Sequence, residues 1–130
     1  MRLVHVLSVW FGGMAGTAAR VALTADRVTV TPFPLETFLI NLVGAGALGL
    51  LVERLARCKP GERRRVLGLL AGTGFLGGLT TYSVLALDSV QLIRHGQIAA
   101  AAGYRLGTLV VGAGASWLAT VLGRARDTGE

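Results

Sequence analysis

The chain has 130 residues, of which 52% are hydrophobic and 15% charged, and its mean hydropathy is +0.61. An ordinary soluble domain carries about 25% charged residues, and one this small cannot bury so much apolar side chain, so a cytosolic enzyme domain is excluded at the outset. The 19 glycines follow no Gly-x-y period and the charge is low, which excludes collagen and polar disorder.

Long uncharged runs follow one another along the chain. They cover Leu3 to Ala19 with His5 neutral, Thr37 to Val52, Val66 to Leu87, and Leu106 to Gly123, the last extended by Gln97 to Tyr104. A spanning helix needs about 20 mainly apolar residues. Four spans are therefore predicted, at about 3–25, 35–56, 65–92 and 98–122. In lipid the backbone must satisfy itself as helix or closed barrel, and the strict alternation of a barrel strand is absent. The expected fold is an all-α membrane protein, a single four-helix transmembrane domain over residues 1–130.

The first span opens on Arg2 and carries small residues near Ala18 and Ala22, a pattern that a secretory signal peptide shares. Its removal would discard the face Gly12-x-x-x-Gly16 and leave three spans, so the reading as a span is kept. The same four-residue repeat of small side chains recurs at Gly68/Gly72, Gly74/Gly78, Gly103/Gly107 and Gly112/Ser116. Such faces let helices approach closely in lipid. Four short helices enclose little interior, so any pathway calls for an oligomer.

The second span holds Asn41 several residues in. The following loop carries Arg63-Arg64-Arg65, read as an anchor at anionic headgroups, and no nucleic-acid-binding motif surrounds it. Cys58 is the only cysteine, which excludes an intrachain disulfide.

The third span is the unusual one. Its centre reads Gly74-Phe75-Leu76-Gly77-Gly78-Leu79-Thr80-Thr81-Tyr82-Ser83, and Gly77 is equidistant from Val66 and Asp88, hence near the bilayer midplane. Glycine raises the entropy cost of helix, and threonine is stiff and competes for backbone carbonyls. Two readings follow. One is a break at mid-membrane whose freed carbonyls coordinate an ion; the other is an unbroken helix with a tight glycine contact.

The fourth span carries Tyr104 and Thr108 several residues in. Antiparallel threading sets Asn41, Tyr82, Tyr104 and Thr108 in one half of the bilayer. They offer hydrogen-bond donors and aromatic edges with almost no fixed charge, the chemistry that suits a small, strongly hydrated anion.

With four spans, Arg2, Arg54, Arg57, Lys59, Arg63, Arg64, Arg65, Arg124 and Arg126 share one side, and Arg20, Arg27, Arg94 and Arg105 the other. The positive-inside rule then places both termini and the 53–65 loop in the cytoplasm of a multi-pass cell-membrane protein. The basic balance needs no nucleic-acid partner. Neither a Ser-His-Asp set, a carboxylate pair nor a phosphate loop is present, and His5 and His95 lack ligand spacing, so no enzyme is expected.

Three motifs taken together resemble the Fluc fluoride channels, also called the CrcB family. They are Gly12-Gly13-x-x-Gly16-x-x-x-Arg20, Thr37-Phe38-Leu39-Ile40-Asn41-Leu42-Val43-Gly44, and the run Gly74 to Ser83, which is similar to the family's Gly-Phe-x-Gly-Gly-x-Thr-Thr-Phe-Ser. The resemblance covers nearly the whole chain. It implies a passive fluoride-selective channel built as an antiparallel dimer of two subunits of opposite orientation, with the third helix of each broken at its centre and a structural sodium ion (Na+) held at the centre of the dimer by carbonyls of the broken span. By motif position the backbone carbonyls of Gly77 and Thr80 would hold the sodium. Asn41, Tyr82, Ser83, Tyr104 and Thr108 would line the fluoride pathway. Arg20, Gly78 and Thr81 would be structural, and Asp88 matches an acidic position usually occupied by glutamate.

The family signature continues Phe-Ser-Thr-Phe, where this chain has Tyr82-Ser83-Val84-Leu85. Tyr82 keeps a ring; Leu85 has neither ring nor quadrupole. A chain that inserts both ways should show little Lys/Arg bias, yet this one is strongly biased. Either a homodimer or a heterodimer with an oppositely oriented relative is compatible with the resemblance, and the bias together with Leu85 points to the heterodimer. The competing classes are a small multispan transporter and a non-conducting partner subunit. A proton-coupled exporter needs an embedded carboxylate, and the first span has none.

Overall fold

A computed structural model describes residues 2–25 and 34–125. Arg27 and Arg126, counted above in the charge balance, lie outside the described residues. The elements are α1 (Leu3–Leu23), α2 (Leu35–Arg57), α3 (Glu62–Leu67), a π-helical segment (Gly68–Leu76), α4 (Gly77–Leu79), α5 (Tyr82–Arg94) and α6 (Ile98–Ala125). Helices Leu3–Leu23, Leu35–Arg57 and Ile98–Ala125, with the composite Glu62–Arg94, are long and apolar enough to cross a membrane. The four expected spans are all present, and no strand occurs among the described residues. The third starts at Glu62, ahead of the expected 65, because Gly61 and Pro60 stop the preceding loop and three arginines suit a helix end at the interface.

Two close pairings build the bundle. In the first, α1 lies on the π segment and α4 through glycines on both sides. A side chain at Gly12 would strike the carbonyl oxygen of Leu70, and one at Gly16 that of Phe75. Conversely, Gly74 faces Gly12 and the carbonyl of Val9, and Gly78 faces Gly13 and Thr17. The Gly12/Gly16 and Gly74/Gly78 repeats thus read each other, backbone against backbone, as small-residue faces do in lipid. The widened π turns were not foreseen. They fall where Gly68, Gly72 and Gly74 leave little side chain to resist a change of helical pitch.

In the second pairing, α2 runs against α6. Gly49 admits the backbone of Ser116, and Thr120 Oγ1 donates to the Gly49 carbonyl at 3.3 Å as well as to Ser116 at 2.9 Å. By contrast Gly103 and Gly114 have nothing within 4 Å of a built Cβ. Those glycines serve no close approach among the described residues.

A tight turn joins α5 to α6. Gly96 adopts a left-handed φ of 74°; its N–H donates to Ile93 and that of Gln97 to Leu92, a Schellman closure that needs glycine there. The two helices then run antiparallel, and Leu85, Leu92, Ala101 and Tyr104 form the main buried apolar cluster, with Phe38 against it.

Ion pairs tie the basic end together. Glu53 is buried and accepts from Arg57 at 3.0 and 3.1 Å and from Arg124 at 3.1 Å, linking α2 to the end of α6. Glu62 receives His5 at 2.8 Å and Arg2 at 3.4 Å, linking α3 to the start of α1. The start of α1 therefore shares an end with α3, and the end of α2 with that of α6, the arrangement that the charge count requires. Outward, Trp10, Phe11, Leu109, Val110 and Trp117 are all more than half exposed, as lipid-facing side chains should be.

Candidate functional site

The third span is broken between α4 and α5. Thr80 (φ −79°, ψ 153°) and Thr81 (φ −150°, ψ 126°) are extended, so of the two sequence readings the interrupted helix is the one that forms. The hydrogen bonds across this gap explain how it survives in an apolar medium. The N–H of Thr80 reaches Leu76 at 2.9 Å, and its hydroxyl donates to the same carbonyl at 2.8 Å. Thr81 is held by Asn41 from α2: its N–H donates to Oδ1 at 2.9 Å, and its carbonyl accepts from Nδ2 at 3.3 Å. The Thr81 hydroxyl then caps α5 by accepting from the N–H of Val84 at 3.3 Å.

These bonds redirect particular donors. In a continuous helix the N–H of Thr81 would close onto Gly77, and that of Val84 onto Thr80, four residues back. Asn41 Oδ1 takes the first and Thr81 Oγ1 the second. The carbonyls of Gly77 and Thr80 are thereby released from the helical ladder. The intervening Gly78 carbonyl accepts from Arg20 Nε at 3.2 Å, which anchors the half-buried Arg20 of α1 to the end of α4. Both carbonyls assigned by motif position to a cation are among those the break frees, and oxygen donors of this kind suit a hard cation.

An open groove of about 510 Å³ runs beside the break. Gly77, Thr80, Thr81 and Tyr82 line one wall, Asn41 and Gly44 another, and Thr108 and Gly112 the third. Among the described residues no formally charged one lines it. A smaller cavity of about 200 Å³ holds Arg20, Thr24 and Thr37, and it too is bordered by Thr81. The two voids meet at Thr81, a polar residue between an uncharged corridor and a guanidinium.

The structure gathers Asn41, Tyr82, Thr108, Gly77, Thr80 and Thr81 at the groove. Tyr82 is 71% exposed. Ser83 is exposed beside the groove, with its hydroxyl 3.0 Å from that of Thr81. Tyr104 stands apart. It is fully buried, and its hydroxyl donates to Asp88 Oδ2 at 3.3 Å inside the α5–α6 hairpin. Thr108, one turn on, returns its hydroxyl to the Tyr104 carbonyl at 2.7 Å. Leu85 is 4% exposed, at the junction of groove and core.

The Asp88–Tyr104 pair and the carbonyl of Leu76 were missed from the sequence. A signal for the pair existed: the two residues are equidistant from Gly96, and an antiparallel hairpin turning at Gly96 sets them level. Tyr104→Phe would remove the donor and leave a buried carboxylate short of a hydrogen bond, at a cost of about 1–3 kcal/mol. A lowered thermal midpoint in detergent, with the dimeric or monomeric state unchanged, is the expected result.

The family model described as CrcB-like protein, Camphor Resistance (CrcB), matches residues 7–121. The chain belongs to the CrcB family. It is 45% identical to the fluoride-specific ion channel FluC 2 of Leifsonia xyli subsp. xyli over 121 residues, covering 92% of this chain and 83% of that protein. Against the fluoride-specific ion channel FluC of Paracoccus denitrificans it is 40% identical, covering 91% and 93%. Against FluC 1 of Mycobacterium bovis it is 38% identical, covering 92% and 90%. The helical fold with four candidate spans agrees with membership of the CrcB family, whose members are ion channels and not enzymes.

Proposed function

We propose that this chain is one subunit of a passive, fluoride-selective channel that lets fluoride out of the cytoplasm. The observation that carries the reading is the pairing of an uncharged, donor-bearing groove with a helix break pinned by Asn41. Fluoride is small and holds its water tightly, so it enters a protein only where donors replace that water. The amide nitrogen of Asn41 has two N–H groups, and the bond to Thr81 uses one. The ring of Tyr82 offers a positive edge. Absence of fixed charge along the groove allows the ion to leave as readily as it arrives, while Arg20 draws anions toward the neighbouring cavity.

The groove is open on one side, and we assign that side to a second subunit of opposite orientation. A sodium ion fits where the Gly77 and Thr80 carbonyls are freed, and when bound it would neutralise carbonyl oxygens of the two subunits at their junction. The lysine and arginine bias favours one-way insertion in the cell membrane with cytoplasmic termini. With Leu85 in place of a ring, that bias favours a related partner inserted the other way. The proton-coupled reading is weakened by Asp88, which lies in a hydrogen bond to Tyr104 and lines no part of the groove.

Liposomes loaded with fluoride test this. With a counter-ion path and no proton gradient, vesicles holding this chain and an oppositely oriented relative should empty rapidly. Retention of fluoride by every such pairing would overturn the channel reading, and dependence on a proton gradient would make it a carrier. Strong flux from this chain alone, as an antiparallel dimer, would remove the heteromeric part. Sodium has its own test: exchange of sodium for N-methyl-D-glucamine should lower dimer recovery on gel filtration. Thr80→Pro, which deletes the N–H bonded to Leu76, should abolish that sodium dependence.

A further inference from the structure

At the basic end, one helical turn beyond the groove residues Leu48 and Gly72, lies a second open depression of about 700 Å³ between α2 and the start of the third span. Its floor is apolar, formed by Val52, Leu55 and Leu69, and its rim carries Arg64 and Arg65. Val52 is 56% exposed, an apolar side chain with no covering element among the described residues. Arg64 is half-buried and leans on the Cys58 carbonyl at 3.5 Å, which holds its guanidinium at the rim. Glu62 is the carboxylate on this rim, and it already receives His5 and Arg2 from α1. The nearby Glu53 is bonded to Arg57 and Arg124. Among the described residues the carboxylates at this end are thus already paired, Glu62 also feeling the charge of Arg65, and the depression carries two guanidiniums against one carboxylate.

We infer that this depression is a binding site for one anionic phospholipid, its phosphate between Arg64 and Arg65 and an acyl chain along Val52, Leu55 and Leu69. The order of groups matches the order in a lipid leaflet: guanidinium at the membrane surface, aliphatic side chains below it. A planar guanidinium binds phosphate oxygens through paired N–H groups. A soluble phosphate would use the arginines and leave the apolar floor wet, so the floor argues for a lipid. The inference stands apart from the fluoride reading, since it uses none of the groove residues. It gives the charge bias a further role: a lipid enriched in the cytoplasmic leaflet would hold this end on that side.

The test is native mass spectrometry of the full-length protein released from nanodiscs of mixed phosphatidylglycerol and phosphatidylcholine. The wild-type chain should retain phosphatidylglycerol selectively. Each of Arg64→Ala and Arg65→Ala should lower that retention about fivefold, and the double variant about twentyfold or more. Arg94→Ala with Arg105→Ala, at the opposite end, should leave it unchanged. Val52→Ser should weaken retention of long-chain phosphatidylglycerol and spare a dihexanoyl analogue. Equal retention of the two lipids by the wild-type chain would overturn the proposal, even if an arginine variant failed to fold. So would inorganic phosphate that raises the thermal midpoint as much as phosphatidylglycerol does.

Discussion

Asn41→Ala is expected to cut fluoride throughput by about tenfold to a hundredfold, which is what the loss of a single hydrogen-bond donor at about 1–3 kcal/mol amounts to. The residue does two things at once. Its Oδ1 and Nδ2 grip Thr81, and so keep the N–H of Thr81 from closing back onto Gly77. Its remaining N–H is the donor that the proposed channel reading gives to the anion. Alanine removes both. Asn41→Asp separates them, because a carboxylate oxygen still accepts from Thr81 while a negative charge enters an uncharged groove. Aspartate should therefore pass less fluoride than alanine, and with an oxygen turned toward the Thr81 carbonyl it should not restore the lost stability. Efflux from loaded liposomes read with a fluoride electrode, alongside gel filtration, distinguishes the two. Wild-type flux through the alanine variant would reduce Asn41 to packing.

Much of this arrangement was legible beforehand, and the reason is chemical. Uncharged runs of sufficient length dictate spans in lipid whatever the details of packing, so the four helices followed directly. A Gly-Gly followed by Thr-Thr weakens a helix by local means, so the place of the break could be read without tertiary information. What stayed hidden depended on contacts between distant segments. Asn41 was visible as a polar residue in a span, but its role as a two-point clip on Thr81 needs α2 set beside the break. Tyr104 was grouped with the groove residues because depth alone was readable; its rotation about α6 was not, and the structure turns it into the hairpin core toward Asp88. The π turns of Gly68–Leu76 are likewise a response to α1 pressing on that backbone. Glu53 carries a local sign for Arg57, four residues on, but neither it nor Glu62 gives a local sign of the pairs with Arg124, His5 and Arg2 that join the ends of four elements.

Gly16→Val is expected to do the greatest harm of any single substitution considered, abolishing recovery of monodisperse protein. A Cβ at this position would collide with the carbonyl oxygen of Phe75 and lie 2.9 Å from the N–H nitrogen of Leu79. Both obstacles are backbone, so no side chain can turn aside. The strain must be relieved by moving α1 off the third span, and overpacking at even a yielding site costs about 1–3 kcal/mol. Movement here is costly twice over. Arg20 lies one turn farther along α1, and its bond to Gly78 fixes the carbonyl between the two that the break frees. Displacing α1 breaks that bond and lets α4 rotate, so the break loses its second anchor even if the chain still inserts. Gly16→Ala should therefore give a lowered thermal midpoint with a disproportionate loss of fluoride flux. Gly103→Ala supplies the contrast, since its Cβ meets nothing within 4 Å and alanine is favoured over glycine in a helix by about 1 kcal/mol. That variant should keep or slightly raise the midpoint. If fluorescence-detected gel filtration found the two alanine variants equally stable, close backbone approach at Gly16 would not be what holds α1 against the broken span.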